Sequence, residues 1–249
     1  MTQLSAGPAN SGLLGPRVEA LPARVFGVLR SPRATLTAVA SAPRWLGVMV
    51  LTLLISSLSG AAFLQTETGR LALVDQWERT AAAFGQNVDD RQYAALEEAS
   101  ANGPAYAAIS ALVSGPLLAF GLAALLLAVF NGALGGAATY SQLLAITAHA
   151  GVILALRQVV AAPVNYARET LASPMTMTIF FPMLDEASPI ARFFGVIDLF
   201  VVWWLTVLAI GLSVLYRRRA LPLLVGLVAA YIVLALLLVV AMAVTGGTV

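Results

Sequence analysis

The stretch Ala220–Val244 reads ALPLLVGLVAAYIVLALLLVVAMAV and contains no charged side chain. A helix crosses the ~30 Å hydrocarbon core of a bilayer with about 20 apolar residues, because each residue advances it by about 1.5 Å. The sequence contains four more runs of this length and character. They are Trp45–Leu64, Tyr106–Phe130, Tyr140–Ala162 and Phe193–Tyr216. Five transmembrane helices are therefore predicted.

The composition supports the same interpretation. Hydrophobic residues make up 60% of the 249-residue chain and charged residues 10%, whereas soluble domains have ~45–50% and ~25%. The hydrocarbon core offers no hydrogen bonds to the backbone, so only helices and closed β-barrels span it. Barrel strands alternate apolar and polar residues, whereas the five runs are apolar on all sides. The predicted fold class is therefore an all-α, polytopic membrane protein.

The loops between the runs differ in charge, and this difference predicts the orientation. Five Arg and one Glu precede the first run, and residues 65–105 carry seven acids against three Arg. Arg217, Arg218 and Arg219 form a basic cluster between the fourth and fifth runs. Because short Arg-rich loops stay in the cytoplasm, we expect a cytoplasmic N-terminus and basic cluster and an extracytoplasmic C-terminus.

Two segments precede the first run, and residues 22–249 are expected to form one five-helix membrane domain. Residues 1–21 are rich in Gly, Ser, Asn and Pro and lack the pattern of a signal peptide, which predicts a disordered cytoplasmic tail. Residues 22–43 have an apolar face and a good helix start at Ser31-Pro32. They predict a short broken helix on the cytoplasmic leaflet that favours anionic lipid, or alternatively a plain topology signal. The residues at the membrane surface would be Arg24, Arg30 and Arg33.

Two longer polar segments follow. Residues 65–105 predict an acidic helical hairpin outside the membrane, in which Asp89 or Asp90 caps the second helix. One alternative is that this hairpin binds a partner or a cation. The other is that it is a solvated face. Residues 163–192 contain four prolines, so no long helix is predicted there. The apolar stretch Met175–Met183 is too short to span the bilayer and indicates a re-entrant or interfacial loop.

Three ionisable residues interrupt the apolar runs. Arg157 and Asp198 both lie about five residues from the outer ends of their runs, so we expect their side chains at similar depth. A lone charge in the membrane is costly, and pairing offsets part of that cost. We predict an intramembrane salt bridge between them, with a structural role or as a proton or substrate relay; in the alternative, Arg157 snorkels outward. His149 is expected near the middle of the third run, as a neutral hydrogen-bonded core residue or as a protonatable gate.

No motif in the sequence predicts catalysis or a bound cofactor. The chain has no cysteine and a single histidine, which excludes thiolate and multi-histidine metal sites. Ser59-Gly60 and Ser114-Gly115 lack the setting of an intramembrane serine protease, and the sequence contains no nucleotide-binding loop. We therefore expect no catalytic residue, cofactor, metal or nucleic-acid partner.

The segment Phe193–Arg219 reads FFGVIDLFVVWWLTVLAIGLSVLYRRR. Its order of Ile-Asp-Leu-Phe, Trp, Ile-Gly-Leu and a basic cluster resembles the Ypt-interacting-protein (Yip) family, especially its bacterial members, and so does the lead-in from Ser31-Pro32 to Trp45. This resemblance implies five helical spans, a cytoplasmic N-terminus and a bacterial cytoplasmic (inner) membrane. Eukaryotic members bind prenylated Rab-type GTPases and act in vesicle traffic or membrane shaping, whereas bacterial members lack that machinery. The matching residues are Asp198, Trp203, Gly211 and Arg217–Arg219.

Two functions remain open. The first is a non-catalytic membrane protein that organises membrane or partner proteins, with anionic lipid at its cytoplasmic face and a possible membrane-protein partner. The second is a small-molecule or lipid transporter, or a permease subunit, in which His149, Arg157 and Asp198 line a path. Transporters often contain paired broken helices, which the five runs do not show, so the first is preferred. A membrane-depth cavity reaching His149 would favour transport.

Overall fold

The structure is a computed structural model that describes residues 20–181, 183–184 and 188–245. The predicted tail, residues 1–21, lies outside these ranges except for its last two residues, and Leu21 begins the first helix. A π-helical turn at Ala128–Ala133 extends the sixth helix, and a 3₁₀ turn covers Met177–Phe180. The α-helices within the described ranges are α1 (Leu21–Arg30), α2 (Pro32–Ser41), α3 (Leu46–Leu64), α4 (Glu67–Ala83), α5 (Asp90–Ser100), α6 (Gly103–Leu127), α7 (Tyr140–Ala150), α8 (Val152–Arg168), α9 (Pro189–Val196), α10 (Leu199–Tyr216) and α11 (Ala220–Thr245).

Five helical segments in the described part of the chain are long and apolar enough to cross a membrane, which confirms the predicted all-α, five-span fold. The loop after α10 lies beside α2 at one end of the bundle, here called the basic end. α4 and α5 follow α3 at the opposite end, here called the acidic end. The five segments are Leu46–Leu64, Gly103–Ala133, Tyr140–Arg168, Leu199–Tyr216 and Ala220–Ala241.

The helix α7 lies at the centre of the bundle. All residues from Leu143 to Ala150 are buried, and α7 packs against α1, α2, α3, α6 and α10. α7 comes close to α10 at Gly211, where an added Cβ would lie 2.4 Å from Ile146 Cγ2. Small residues allow membrane helices to approach closely, and a larger residue at position 211 would push α7 and α10 apart.

The helices α1 and α2 form the broken helix predicted for residues 22–43, with the break at Ser31. Pro32 begins α2, where its missing N–H would have no helical partner in any case. Their apolar side chains pack inward, however, and Val28 and Leu36 are fully buried in the same core as α7 and α10. The apolar face of this segment therefore packs onto the bundle at its basic end, and the position of the segment at the membrane surface stays a prediction.

The helices α4 and α5 form the helical hairpin predicted between the first and second spans. Asp89, rather than Asp90, caps α5, since its carboxylate accepts the Gln92 N–H at 2.7 Å. The Gln92 side chain in turn accepts the Asp89 N–H at 3.1 Å, which completes a capping box. α4 is anchored to the end of α3 through its buried Leu73, while most of α5 is exposed. The location of this hairpin outside the membrane stays a prediction.

The third span is longer than predicted. α8 does not stop at Ala162 but continues through Pro163 to Arg168. Proline removes one amide donor from a helix, and here the helix continues for only five residues beyond it. α8 ends at Arg168, and the following Glu169 has a left-handed φ of 52°. The helix therefore covers the first six residues of the segment 163–192, in which no long helix was predicted.

The fourth predicted run is two helices rather than one. α9 and α10 are separated by Ile197 and Asp198, which are extended. This break is held by the preceding loop, because the Met177 N–H donates to the Ile197 carbonyl at 2.9 Å and the Leu199 N–H to the Met175 carbonyl at 3.0 Å. The described part of the loop predicted to be re-entrant or interfacial is therefore a short bridge and a 3₁₀ turn that pack against the break.

Candidate functional site at the break between α9 and α10

Asp198 occupies the break and begins α10. Its Oδ1 accepts the backbone N–H of Phe200 at 2.8 Å. A carboxylate at a helix N-terminus satisfies a free backbone donor and is favoured by the helix dipole. The sequence predicted Asp198 inside a continuous span, and the structure corrects this by making it the N-cap of the fourth membrane helix.

The second carboxylate oxygen of Asp198 binds two side chains. Oδ2 accepts hydrogen bonds from Arg157 Nε at 2.7 Å and from Ser173 Oγ at 2.5 Å. The Asp198 side chain is 5% exposed and that of Arg157 is 30% exposed. The predicted contact between Arg157 and Asp198 is thus present, with α8 and α10 as the connected elements. The ion pair and its added hydrogen bond offset part of the desolvation that either charge would suffer alone.

Tyr231 connects the same break to α11. Its hydroxyl donates to the carbonyl of Val196 and lies 3.4 Å from the Asp198 N–H, from which it accepts a long hydrogen bond. Neither Tyr231 nor Ser173 was predicted from the sequence. Tyr231 is the only residue in Ala220–Val244 with a hydroxyl group, and this signal was sufficient to find it. Ser173 lies in a proline-rich loop without periodicity and gave no such signal.

Arg157 also borders open space. It lines a cavity of about 440 Å³ between α3, α6, α7 and α8. Its Nε is used by Asp198, while its two terminal nitrogens form no hydrogen bond within the described ranges. The guanidinium therefore has a structural side, toward the break, and a side that remains available for another polar group.

His149 is fully buried near the basic end. Its Nδ1 lies 2.7 Å from the Ala145 carbonyl and its Nε2 lies 3.5 Å from Arg24 Nη1. A proton on Nδ1 satisfies the carbonyl and leaves Nε2 as an acceptor for Arg24. Arg24 also donates to the Arg44 carbonyl at 3.0 Å, so it connects α1 to α7 and to the start of α3, while its predicted place at the membrane surface stays a prediction. His149 and Arg157 are eight residues apart in the third span, or about two helical turns.

Arg217, Arg218 and Arg219 lie together at the basic end. With Arg33 they line an open space of about 660 Å³, here called the basic cleft. Arg217 ends α10 with a left-handed φ of 51°, a conformation that costs a non-glycine residue roughly 1–2 kcal/mol. Arg30 is exposed on α1 but does not line this cleft.

The sequence model of the Yip1 domain matches residues 26–242, a range that contains all five spans. The chain belongs to the Yip1 family. No significant match was found among curated proteins or among solved structures. In this Yip1-family protein the residues that carried the resemblance have separate positions. Asp198 caps α10, Gly211 allows close packing with α7, and Trp203 is 39% exposed on α10.

Proposed function

We propose that this Yip1-family protein is a non-catalytic membrane protein that organises membrane or partner proteins, and that its basic cleft binds anionic lipid. The orientation that fits this proposal has the basic end in the cytoplasm and the acidic end outside, in a bacterial cytoplasmic membrane. The proposal rests mainly on one observation, which is the separation of charge between the two ends of the bundle.

The basic end of the described structure carries arginines without acids. Every described acidic residue lies within residues 67–98, at Glu169 or at Asp198, all toward the acidic end. A basic surface beside a membrane attracts the anionic lipids of the cytoplasmic leaflet, and short basic loops stay on that side during insertion. The arginines in question are Arg24, Arg30, Arg33, Arg44, Arg217, Arg218 and Arg219.

The basic cleft concentrates four of these charges. Each arginine near an anionic surface contributes about 1 kcal/mol, so four give at most about 4 kcal/mol, or a factor of roughly 10³ in lipid preference. Arg217, Arg218 and Arg219 are exposed, and salt screens exposed charges. The preference should therefore fall steeply as the salt concentration rises.

The fifth span offers a surface for partner proteins. Ala235 and Val239 are buried, whereas Leu234, Leu237 and Val240 are at least 57% exposed. A span that uses so little of its surface inside its own bundle contacts either lipid or another membrane protein. This exposed face supports the partner-organising half of the proposal.

The environment of His149 supports the part of the proposal that the protein is non-catalytic. The side chain is 0% exposed and its ring nitrogens face Ala145 and Arg24. A general base must reach the group from which it takes a proton, and a fully enclosed imidazole cannot reach a substrate in this arrangement.

Lipid binding by the full chain tests the proposal. The protein is reconstituted in nanodiscs of phosphatidylcholine with phosphatidylserine, and the lipids retained after mild detergent extraction are counted by native mass spectrometry. The variant R217Q/R218Q/R219Q is compared with R70Q/R79Q/R91Q, which removes three arginines from the acidic end. We expect the first variant to lose the preference for phosphatidylserine and the second to keep it. Equal preference in both variants would contradict the proposal.

A transporter or permease subunit is the second candidate function, and one observation favours it. The 440 Å³ cavity reaches Arg157 at membrane depth, so the bundle is not sealed. His149, in contrast, is fully buried and borders no accessible space, which does not favour a path through all three ionisable residues.

A further inference from the structure

A cleft separates α6 from α8 on the side toward the acidic end, and α3 forms its floor. α3 packs against both of these helices, whereas α6 packs against α7 rather than α8. The third membrane span is interrupted at Gly151, which separates α7 from α8. The cleft contains the 440 Å³ cavity at Arg157 and a second cavity of about 280 Å³. The two are continuous, since both are lined by Ser56, Ser114 and Gln158.

The walls of this cleft are unusually polar for a membrane interior. The side chains of Ser56, Ser114 and Gln158 form no hydrogen bond with any residue that the structure describes, and those of Ser114 and Gln158 are exposed. Asn165 is 7% exposed and its Oδ1 has no partner within the same ranges. The remaining hydroxyl-bearing residues of the cleft are Thr52, Ser59, Tyr106, Ser110 and Thr147.

These polar groups require a polar occupant. A group without a hydrogen-bond partner in hydrocarbon costs several kcal/mol, and acyl chains supply neither donors nor acceptors. The rim of the cleft is apolar, however, because Leu118 lines the cleft and is 47% exposed. An amphiphile satisfies both surfaces, with its polar part inside the cleft and its chains against the rim.

The donors in the cleft suit a phosphodiester. The free terminal nitrogens of Arg157 present paired N–H groups, the geometry that matches phosphate oxygens. Gln158, Ser56 and Ser114 supply further donors from all three helices. The charge of Arg157 is already balanced by Asp198, so the site is neutral overall and fits a zwitterionic headgroup. The 440 Å³ volume lies within the ~300–1,000 Å³ typical of ligand pockets.

We propose that the cleft between α6 and α8 binds the phosphodiester headgroup of a zwitterionic phospholipid, held by Arg157, Gln158, Ser56 and Ser114. The headgroup enters from the acidic end. There a cavity of about 990 Å³ shares Leu73, Tyr106 and Leu171 with the 280 Å³ cavity. This site is separate from the basic cleft, which is at the opposite end and favours anionic lipid, so it goes beyond the proposed function.

Photocrosslinking to the full chain tests this inference. The protein is reconstituted in vesicles of phosphatidylcholine alone, which contain no anionic lipid for the basic cleft, with a trace of phosphatidylcholine that carries a diazirine on its choline. After illumination, crosslinked peptides are identified by mass spectrometry. We expect crosslinks within residues 52–60, 110–115 and 157–165, and no loss of them when millimolar glycerophosphocholine is added. Crosslinks at the two ends of the bundle only, as expected if water alone fills the cleft, would overturn the inference. Competition by glycerophosphocholine would overturn it too, because the occupant would then be a soluble phosphodiester.

Filling the cleft provides the matched comparison. The variant S56L/S114L removes two donors and occupies the space, so crosslinking within the cleft should fall about tenfold or more. The control A124L adds the bulk of one such substitution at an exposed position of α6 and should crosslink like the wild type. If S56L/S114L does not fold, Q158L replaces it, since the Gln158 side chain is exposed and has no hydrogen-bond partner in the described part of the chain. Undiminished crosslinking in the folded variant would contradict the inference.

Discussion

Substitutions at Arg157 and Asp198 separate the ion pair from the helix cap. Asp198→Asn removes the negative charge but keeps a side chain that caps helices as well as Asp does, so the bond to the Phe200 N–H can persist. Arg157→Gln removes the positive charge and leaves Asp198 with Ser173. A charge swap is a poor test, because an arginine at position 198 cannot cap α10 even where it forms the reversed ion pair.

The expected magnitudes follow from burial. Removing one partner of a buried ion pair typically costs about 3–5 kcal/mol, because the other charge is left unpaired. The Arg157 side chain is 30% exposed, so we expect a smaller loss of about 2–3 kcal/mol for either single variant. The double variant R157Q/D198N leaves no unpaired charge, and its cost should be about 1–2 kcal/mol less than the sum of the two.

Reversible unfolding of the full chain in dodecyl maltoside with increasing sodium dodecyl sulfate, followed by circular dichroism, gives these free energies. Asp75→Asn is the control, since the pair of Arg79 and Asp75 is 56% and 44% exposed and exposed pairs contribute about 0–1 kcal/mol. A coupling energy below about 0.5 kcal/mol between R157Q and D198N would refute the interpretation that this pair connects α8 to α10.

Three further outcomes are expected. Gly211→Ala should lower the free energy of unfolding by about 1–3 kcal/mol, because the added Cβ would lie 2.4 Å from the Ile146 side chain. The control Gly226→Ala places its Cβ in open space and should have no such effect in the same unfolding assay. Tyr231→Phe should cost about 1 kcal/mol, since it removes the donor to the Val196 carbonyl, and no change in the unfolding midpoint would contradict this. Retention of phosphatidylserine by the wild type should decrease when salt rises from 50 to 500 mM, as counted by native mass spectrometry; a salt-independent count would contradict binding at the basic cleft.

The five spans were predictable because their signal is strong and local. A run such as Ala220–Val244 needs only length and apolarity to be recognised. The N-cap of α5 was an equally local signal, since Asp89 or Asp90 was predicted to cap this helix. In the structure Asp89 does so and forms a capping box with Gln92, three residues further on. The approach of Arg157 to Asp198 could be predicted because unpaired charges at similar depth have few other partners in a membrane.

The break at Asp198 could not be predicted in this way. The residues on both sides of it are apolar, so hydropathy shows one continuous run through Phe193–Tyr216. The break depends instead on hydrogen bonds to Met175 and Met177, which are distant in sequence. The inward packing of α1 and α2 was missed for a related reason, because an amphipathic face fits a protein core as well as it fits a lipid surface.

The polar cleft between α6 and α8 was also missed. Ser56 and Ser59 on α3 and Ser110 and Ser114 on α6 are small residues, which in membrane helices are typical of close packing. Only the divergence of α6 from α8 shows that these hydroxyls and Gln158 border open space. Which helices separate is a property of the whole bundle and leaves no pattern within any one run.

Cysteine labelling tests the arrangement of the chain in the membrane most directly, since the protein has no cysteine of its own. Single cysteines are placed by Ser41→Cys at the basic end, Gln86→Cys at the acidic end and Leu234→Cys on the 65% exposed face of α11. With a membrane-impermeant maleimide added to intact bacterial cells, we predict labelling at position 86 immediately, at position 41 only after permeabilisation, and at position 234 in neither condition. Rapid labelling at position 234, or labelling of positions 41 and 86 from the same side, would contradict five helices that cross the bilayer.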